Sequence, residues 1–337
     1  MNEKERLLNA MHGEKTDRVP VICPGGMMNS AIKGIIDSID VHFPEAHSDA
    51  QKMADLAYQV YLEGCFENCG VPFCMTVESE AMGAKCNMGN DFYEPHVCEY
   101  AIDTVDDWQK LSDMDLNTGR SKVVLDAIKI LKAKTDSVPI VGNVVGPVST
   151  ASSIMEPVVF YKELHKKPEV AHAYMEFVTQ NIIKFALAQV EAGADVIAIA
   201  DPSGTGEILG PKLFETYTVK YLNELVDAIH TKCPNVIVHI CGRLHNVFPQ
   251  IRQIHAEALS FDALVDMHNA GENLPGRQLM GNVSTIALEL SNPEKVNSIT
   301  KKCINDGVVI VSPACGLGMT SPLENIRAML KTAKGEM

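Results

Sequence analysis

The stretch VIVHICGRLHN, residues 236–246, runs as an apolar β pattern until it places His239 and Cys241 two positions apart. On a strand, residues i and i+2 project from the same face, so an imidazole and a thiol share one side there. Asp262 in SFDA and Cys315 in SPACG each stand at the end of another apolar run. An imidazole, two thiolates and a carboxylate make a tetrahedral zinc set, and sulfur ligands favour zinc over magnesium or calcium. Two or three firm ligands with one exchangeable ligand describe a catalytic site rather than a closed structural one. For Asp262 two roles stay open, a displaceable ligand or an acceptor that orients a ligand from outside, because carboxylates serve both.

Other polar residues gather at the ends of apolar runs. Asp201 and Glu207 in ADPSGTGE are candidates to orient a substrate or a metal-bound group, against the alternative of loop capping. Glu78, with Glu80, follows an earlier run in TVESEAMGA, and Asn143 and Asn282 end two more, as candidates for substrate binding. His245, four residues past Cys241, reads as a surface group rather than a ligand.

The elements that must position these groups are eight short apolar runs: RVPVICPG, ENCGVPFCM, SVPIVGNVVGP, ADVIAIADPSG, NVIVHICG, EALSFDAL, RQLMGNVST and GVVIVSPACGLG. Amphipathic segments of helical period separate the later ones. PEVAHAYMEFVTQNIIKFALAQVEAG has Pro168 suited to a first turn and Gly193 to a C-terminal cap. SPLENIRAMLKTAKG has a capping-box form, with Ser321 as N-cap and Glu324 reaching back. Eight buried strands alternating with helices predict an α/β protein, a single (β/α)8 TIM barrel with an N-terminal helical extension over residues 1–17. No linker, repeat or low-complexity segment interrupts residues 1–337, so one domain is expected. In a barrel the chemistry collects at the C-terminal ends of the strands, where all the candidate residues fall.

Composition narrows the class. Hydrophobic residues at 46% and charged residues at 21% describe a globular chain with a large core. The net charge of −14 argues against a nucleic-acid partner, which needs a dense cationic stripe. No signal peptide or membrane span is read from the sequence, and a cytoplasmic location is expected. Ten cysteines then read as free thiols or metal ligands, and most as small buried apolar residues; C-x3-C at Cys65 and Cys69 lacks further thiolates at cluster spacing.

H-x-C at the end of the fifth run, with a later Cys in SPACG, resembles the uroporphyrinogen decarboxylase superfamily. Within it the chain is similar to the zinc-dependent cobamide methyltransferases, including methylcobamide:coenzyme M methyltransferases and related acetogen O-demethylases. The likeness extends through KTDRVPV, EAMGA, EAGADVIAIADP, VIVHICG and SPLENI. It implies zinc on His239, Cys241 and Cys315, with Asp262 in the place of an exchangeable Glu. It also implies methyl transfer between a small substrate, a thiol such as coenzyme M or a methylated donor such as a methoxylated aromatic, and the cobalt of a small corrinoid protein. Met27 and Met28 in CPGGMMNS, with Met319 in ACGLGMTS, are then candidates to frame a barrel mouth facing the corrin, against a reading as core packing. A uroporphyrinogen-type decarboxylase is disfavoured because CPGGMMNS carries no cation for a poly-acid, and a non-catalytic corrinoid-binding protein because no D-x-H-x-x-G loop is present. A sulfonated thiol calls for a cation near the mouth, for which Arg243 and Arg277 are the candidates.

Overall fold

A computed structural model describes residues 1–337. Its strands are β1 (Cys69–Val71), β2 (Lys85–Asn87), β3 (His96–Glu99), β4 (Ile140–Val145), β5 (Val196–Ala200), β6 (Val236–Ile240), β7 (Ala258–Phe261), β8 (Gln278–Val283) and β9 (Ile310–Pro313). Seven of them form one parallel sheet in the order β1-β4-β5-β6-β7-β8-β9. The sheet curls on itself, and the chain around Val21 closes the seam. Val21 makes a parallel bridge to Val311, the Ile22 N–H donates to Val311 (3.0 Å), and the Glu67 N–H donates to Val21 (2.9 Å). RVPVICPG thus occupies the place of a first barrel strand but holds it by a bridge, because Pro20 and Pro24 have no N–H to give a ladder. Glu67 strengthens the seam by accepting from Arg6, Arg18 and the Val21 N–H.

Every residue of β4, β5 and β6 is buried, as expected for parallel strands covered on both faces. Barrel interior and helix layer join in one continuous apolar core of 100 buried residues. The helix Pro168–Ala192 begins on proline and ends at Gly193, whose φ of 118° demands glycine.

The N-terminal extension contains a helix, Glu3–Met11, with a capping box between Asn2 and Glu5. It closes the end of the barrel opposite the candidate site: the Lys4 N–H donates to Ser137 (2.9 Å), Lys4 pairs with Asp195, and His12 meets Asn235 (2.9 Å), all just before β4, β5 and β6. Two features depart from the sequence reading. The last helix, Leu323–Ala333, starts after Pro322, whose carbonyl accepts from the Asn325 N–H (3.0 Å), while the buried Ser321 hydroxyl caps nothing. The antiparallel pair β2–β3 follows β1 as an excursion that the sequence did not announce, being three and four residues long and largely exposed.

Candidate metal centre

β6 carries His239 to the C-terminal end of the barrel, and Cys241 lies just past its last residue. Cys315 lies two residues beyond β9. Cys315 is more than seventy residues from the other two in sequence, but the curled sheet brings one ligand atom from each of the three within 4.8 Å of the others. His239 Nε2 is 3.1 Å from Cys241 Sγ. Its other nitrogen, Nδ1, meets Ser260 Oγ at 2.9 Å, on the β7 residue in register with His239. That contact fixes the ring with Nε2 toward the thiols, the orientation a metal-binding imidazole needs. Cys241 and Cys315 lie close together, and their interaction draws Cys315 well below the usual thiol value and, with burial, pushes Cys241 up. Soft donors at this separation, with the imidazole pre-oriented and the sulfurs half-buried, fit a zinc ion.

Two carboxylates clasp the turn that carries Cys241. Asp262 accepts from the Gly242 N–H (3.3 Å) and, through its other oxygen, from the Leu264 N–H (2.9 Å). Glu207 accepts from the Arg243 N–H at 2.9 Å. Gly242 has φ of 78°, and a Cβ there would stand 2.6 Å from Glu207 Oε2, so only glycine admits this approach. Asp262 thus lies beside the trio without joining the set of mutually close ligand atoms. With both oxygens on backbone donors, it is held as a turn cap.

The remaining candidates are placed differently. Asp201 is fully buried and accepts from the N–H groups of Val148 (3.2 Å) and Ser149 (2.8 Å) and from the Ser149 hydroxyl (2.6 Å), capping the helix Pro147–Ile154. Burial nonetheless raises its pKa. Asn143 donates to the carbonyls of Pro24 (2.7 Å) and Val71 (3.0 Å), and Asn282 to those of Asp262 (2.9 Å) and Val265 (2.8 Å), so neither amide has a donor left for substrate. Glu78 is buried, accepts from the Val145 N–H at 2.8 Å, and is pushed up to about 7 by burial. Met27 and Met28 are buried, which leaves a partner no surface on Met28 at 1% exposure; Met319 is half-buried, with its sulfur 3.7 Å from the Asn29 amide. Arg277 donates to Ala256 at the opposite end of the barrel, and the Arg243 side chain is exposed.

Two residues that bear on the centre escaped sequence reading. Ser260 had a usable signal, since it shares a face with Asp262 in SFDA. Glu94 had none: it sits in the β2–β3 excursion, yet burial pushes its carboxyl up to about 7, an effect that the Asn29 side chain opposes and the charge of Cys315 adds to.

Residues 2–335 match the family model described as uroporphyrinogen decarboxylase (URO-D). The chain belongs to the uroporphyrinogen decarboxylase family, and it is an enzyme of that family's methyltransferase branch. It is 33% identical to the methylcobamide:CoM methyltransferase MtbA of Methanosarcina acetivorans, over 98% of this chain and 97% of that one. A methyltransferase from Methanosarcina mazei superposes with a TM-score of 0.93 at 31% identity, covering 100% of this chain and 99% of the other. The uroporphyrinogen decarboxylase of Desulfotalea psychrophila is 26% identical over 85% of this chain and 84% of its own.

Proposed function

We propose that this protein moves a methyl group between a small substrate and the cobalt of a corrinoid carried by a separate protein, with zinc held by His239, Cys241 and Cys315. The observation that carries the reading is the convergence of three zinc-type ligand atoms at the barrel mouth. Likeness to a methylcobamide:CoM methyltransferase over almost the whole chain supports the corrinoid and suggests a thiol as the small substrate. Zinc, when bound, supplies positive charge that lowers the pKa of a thiol or polarises a methylated heteroatom.

The chain's own residues do the rest. Ser260 holds the imidazole in its metal-facing orientation. Asp262 and Glu207 fix the Cys241 turn from two sides, and Asp262 acts from outside the ligand set. The mouth offers a partner an apolar rim that differs from the methionine frame expected from sequence. Phe92, Tyr93, Ile208, Leu264 and Ile286 are exposed; the first two lie between β2 and β3, and the other three follow β5, β7 and β8 in turn. Side chains of this type around a polar centre suit transient docking of a protein that presents its cofactor. No helix is long and apolar enough to cross a membrane.

Elemental analysis of freshly purified protein tests the metal, with one zinc per chain expected. Loss of methyl from methylcobalamin, read as the change in its visible spectrum when a thiol is added, tests the transfer. Folded protein without zinc, or with zinc and no transfer to any thiol or methoxylated aromatic, overturns the reading.

A further inference from the structure

We infer that the tip of the β2–β3 excursion is a movable flap at the barrel mouth, held down by a latch in which His42 must carry a proton on both ring nitrogens. Asn90 and Tyr93 close the turn at the tip by exchanging backbone hydrogen bonds, and Phe92 and Tyr93 are exposed on it. The excursion follows β1, and the segment that receives it, residues 27–43, follows the chain around Val21, so both leave the barrel at the end that carries the metal ligands. That segment in turn packs on the loop after Cys315. The Lys33 N–H donates to the Met319 carbonyl (2.9 Å), the Asn29 amide lies 3.7 Å from the Met319 sulfur, and a Cβ on Gly316 would stand 2.7 Å from the Met27 carbonyl oxygen.

Three contacts tie the tip to this seat, and two of them use Asp91. Asp91 accepts from the Phe43 N–H through one oxygen (2.9 Å) and meets His42 Nδ1 with the other (2.7 Å). The Lys33 ammonium lies 5.9 Å from the centre of the Phe92 ring. On its far side, His42 Nε2 meets Asp40 Oδ1 at 2.9 Å. Ionised carboxylates only accept, so both ring nitrogens have to donate, and a neutral imidazole with its single N–H leaves one carboxylate facing a lone pair. The latch is complete only in the imidazolium. Asp40 and then Asp91 push the His42 pKa up from its ordinary 6.5. The backbone is committed to the same arrangement: Asp40 ends the helix Lys33–Ile39 at φ of 53°, the one non-glycine residue of the chain in the left-handed region. Such conformations persist where the surrounding contacts over-determine them.

The other charges around the latch are engaged. Lys33 pairs with Asp37 and Lys52 with Glu45, Asp49 accepts from the Lys52 N–H (3.0 Å), and His96 on β3 meets the Glu94 carbonyl (3.4 Å). Glu94 itself, three residues past Asp91, has a carboxyl that burial pushes up to about 7, so its titration has to be separated from that of His42 by substitution. Because the latched state holds the His42 proton more tightly than the released state, the latch is fully formed below about 6.5 and weakens as pH rises through the raised value. Phe92 and Tyr93 are thus fixed at the rim in mildly acid solution and loosened in alkaline solution.

Hydrogen exchange of the purified full chain, read by mass spectrometry from about pH 5.5 to about pH 8.5 and corrected for the intrinsic pH dependence of exchange, tests the latch. Protection in peptides that contain Phe43 and residues 89–94 is expected to fall about three- to tenfold across this range. The helix Gly119–Lys134 should stay constant, which reports that each protein is folded. His42→Gln should show the low protection at every pH. Asp40→Asn should move the midpoint to lower pH, since one of the two carboxylates that hold the proton is gone. Glu94→Gln should keep the parent's response. A parent whose tip protection is indifferent to pH, a response that survives in His42→Gln, or one that disappears in Glu94→Gln overturns the inference.

Discussion

Two sets of polar side chains meet at the same end of this barrel, and hydrogen-bond accounting separates them. In the first set, Asp201, Asn143, Asn282 and Glu78, every named contact is to main chain or to a neighbouring hydroxyl, and the groups are buried. In the second set, His239, Cys241 and Cys315, the reactive atoms point at one another, and both sulfurs remain half-buried. Residue types at strand ends look alike in sequence. A buried polar atom must be paired, so a group already paired with backbone is holding the barrel together, whereas one paired with another ligand-type atom leaves a place for an ion.

The largest expected effects break this comparison directly. Cys241→Ser and Cys315→Ser should each lose zinc on dialysis and at least about a thousandfold in methyl transfer, while thermal unfolding stays close to that of the parent freed of metal. Asn143→Ala should do the opposite, retaining zinc and losing about 2–4 kcal/mol of stability in urea titrations, because three carbonyls in the barrel lose a donor. If the cysteine variants unfold as readily as Asn143→Ala, the two sets are not different in kind.

Ser260 sits between the sets, and its removal sharpens the boundary. Ser260→Ala leaves all three ligands in place but frees the imidazole to rotate, so zinc affinity should fall about 10- to 100-fold in chelator competition without loss of the fold. Unchanged affinity would show that strand geometry alone aims His239.

The smallest effect belongs to Glu78. Burial pushes its carboxyl up to about 7 from an ordinary 4.5, so the folded protein holds a proton that the unfolded chain releases at lower pH. Stability from this group is full below about 4.5 and is lost as pH rises toward 7. Glu78→Gln keeps a carbonyl for the Val145 N–H and should flatten that slope, matching the parent near pH 4.5 and exceeding it by about 1–2 kcal/mol at pH 8 in urea unfolding. A parent whose stability does not fall over this interval would move Glu78 out of the buried set.

Much of the architecture is legible in the sequence, because parallel barrel strands are covered on both faces and appear as unbroken apolar runs between helical segments. All eight runs occupy barrel positions. His239 and Cys241 were legible as a pair for the same local reason, the two-residue period of a strand. Cys315 and Asp262 came within reach only through the assumption that the strand ends converge. What the chain alone could not decide is which polar atoms were already engaged. Asp201 turned out to cap a helix that begins more than fifty residues earlier, and Asp262 to cap the turn after β6. Glu94 arrives from an exposed two-stranded excursion with no apolar rhythm to announce it. Periodicity reports which face of an element is buried. Pairing between side chains separated by twenty to seventy residues depends on how the sheet curls, and that is a property of the tertiary structure.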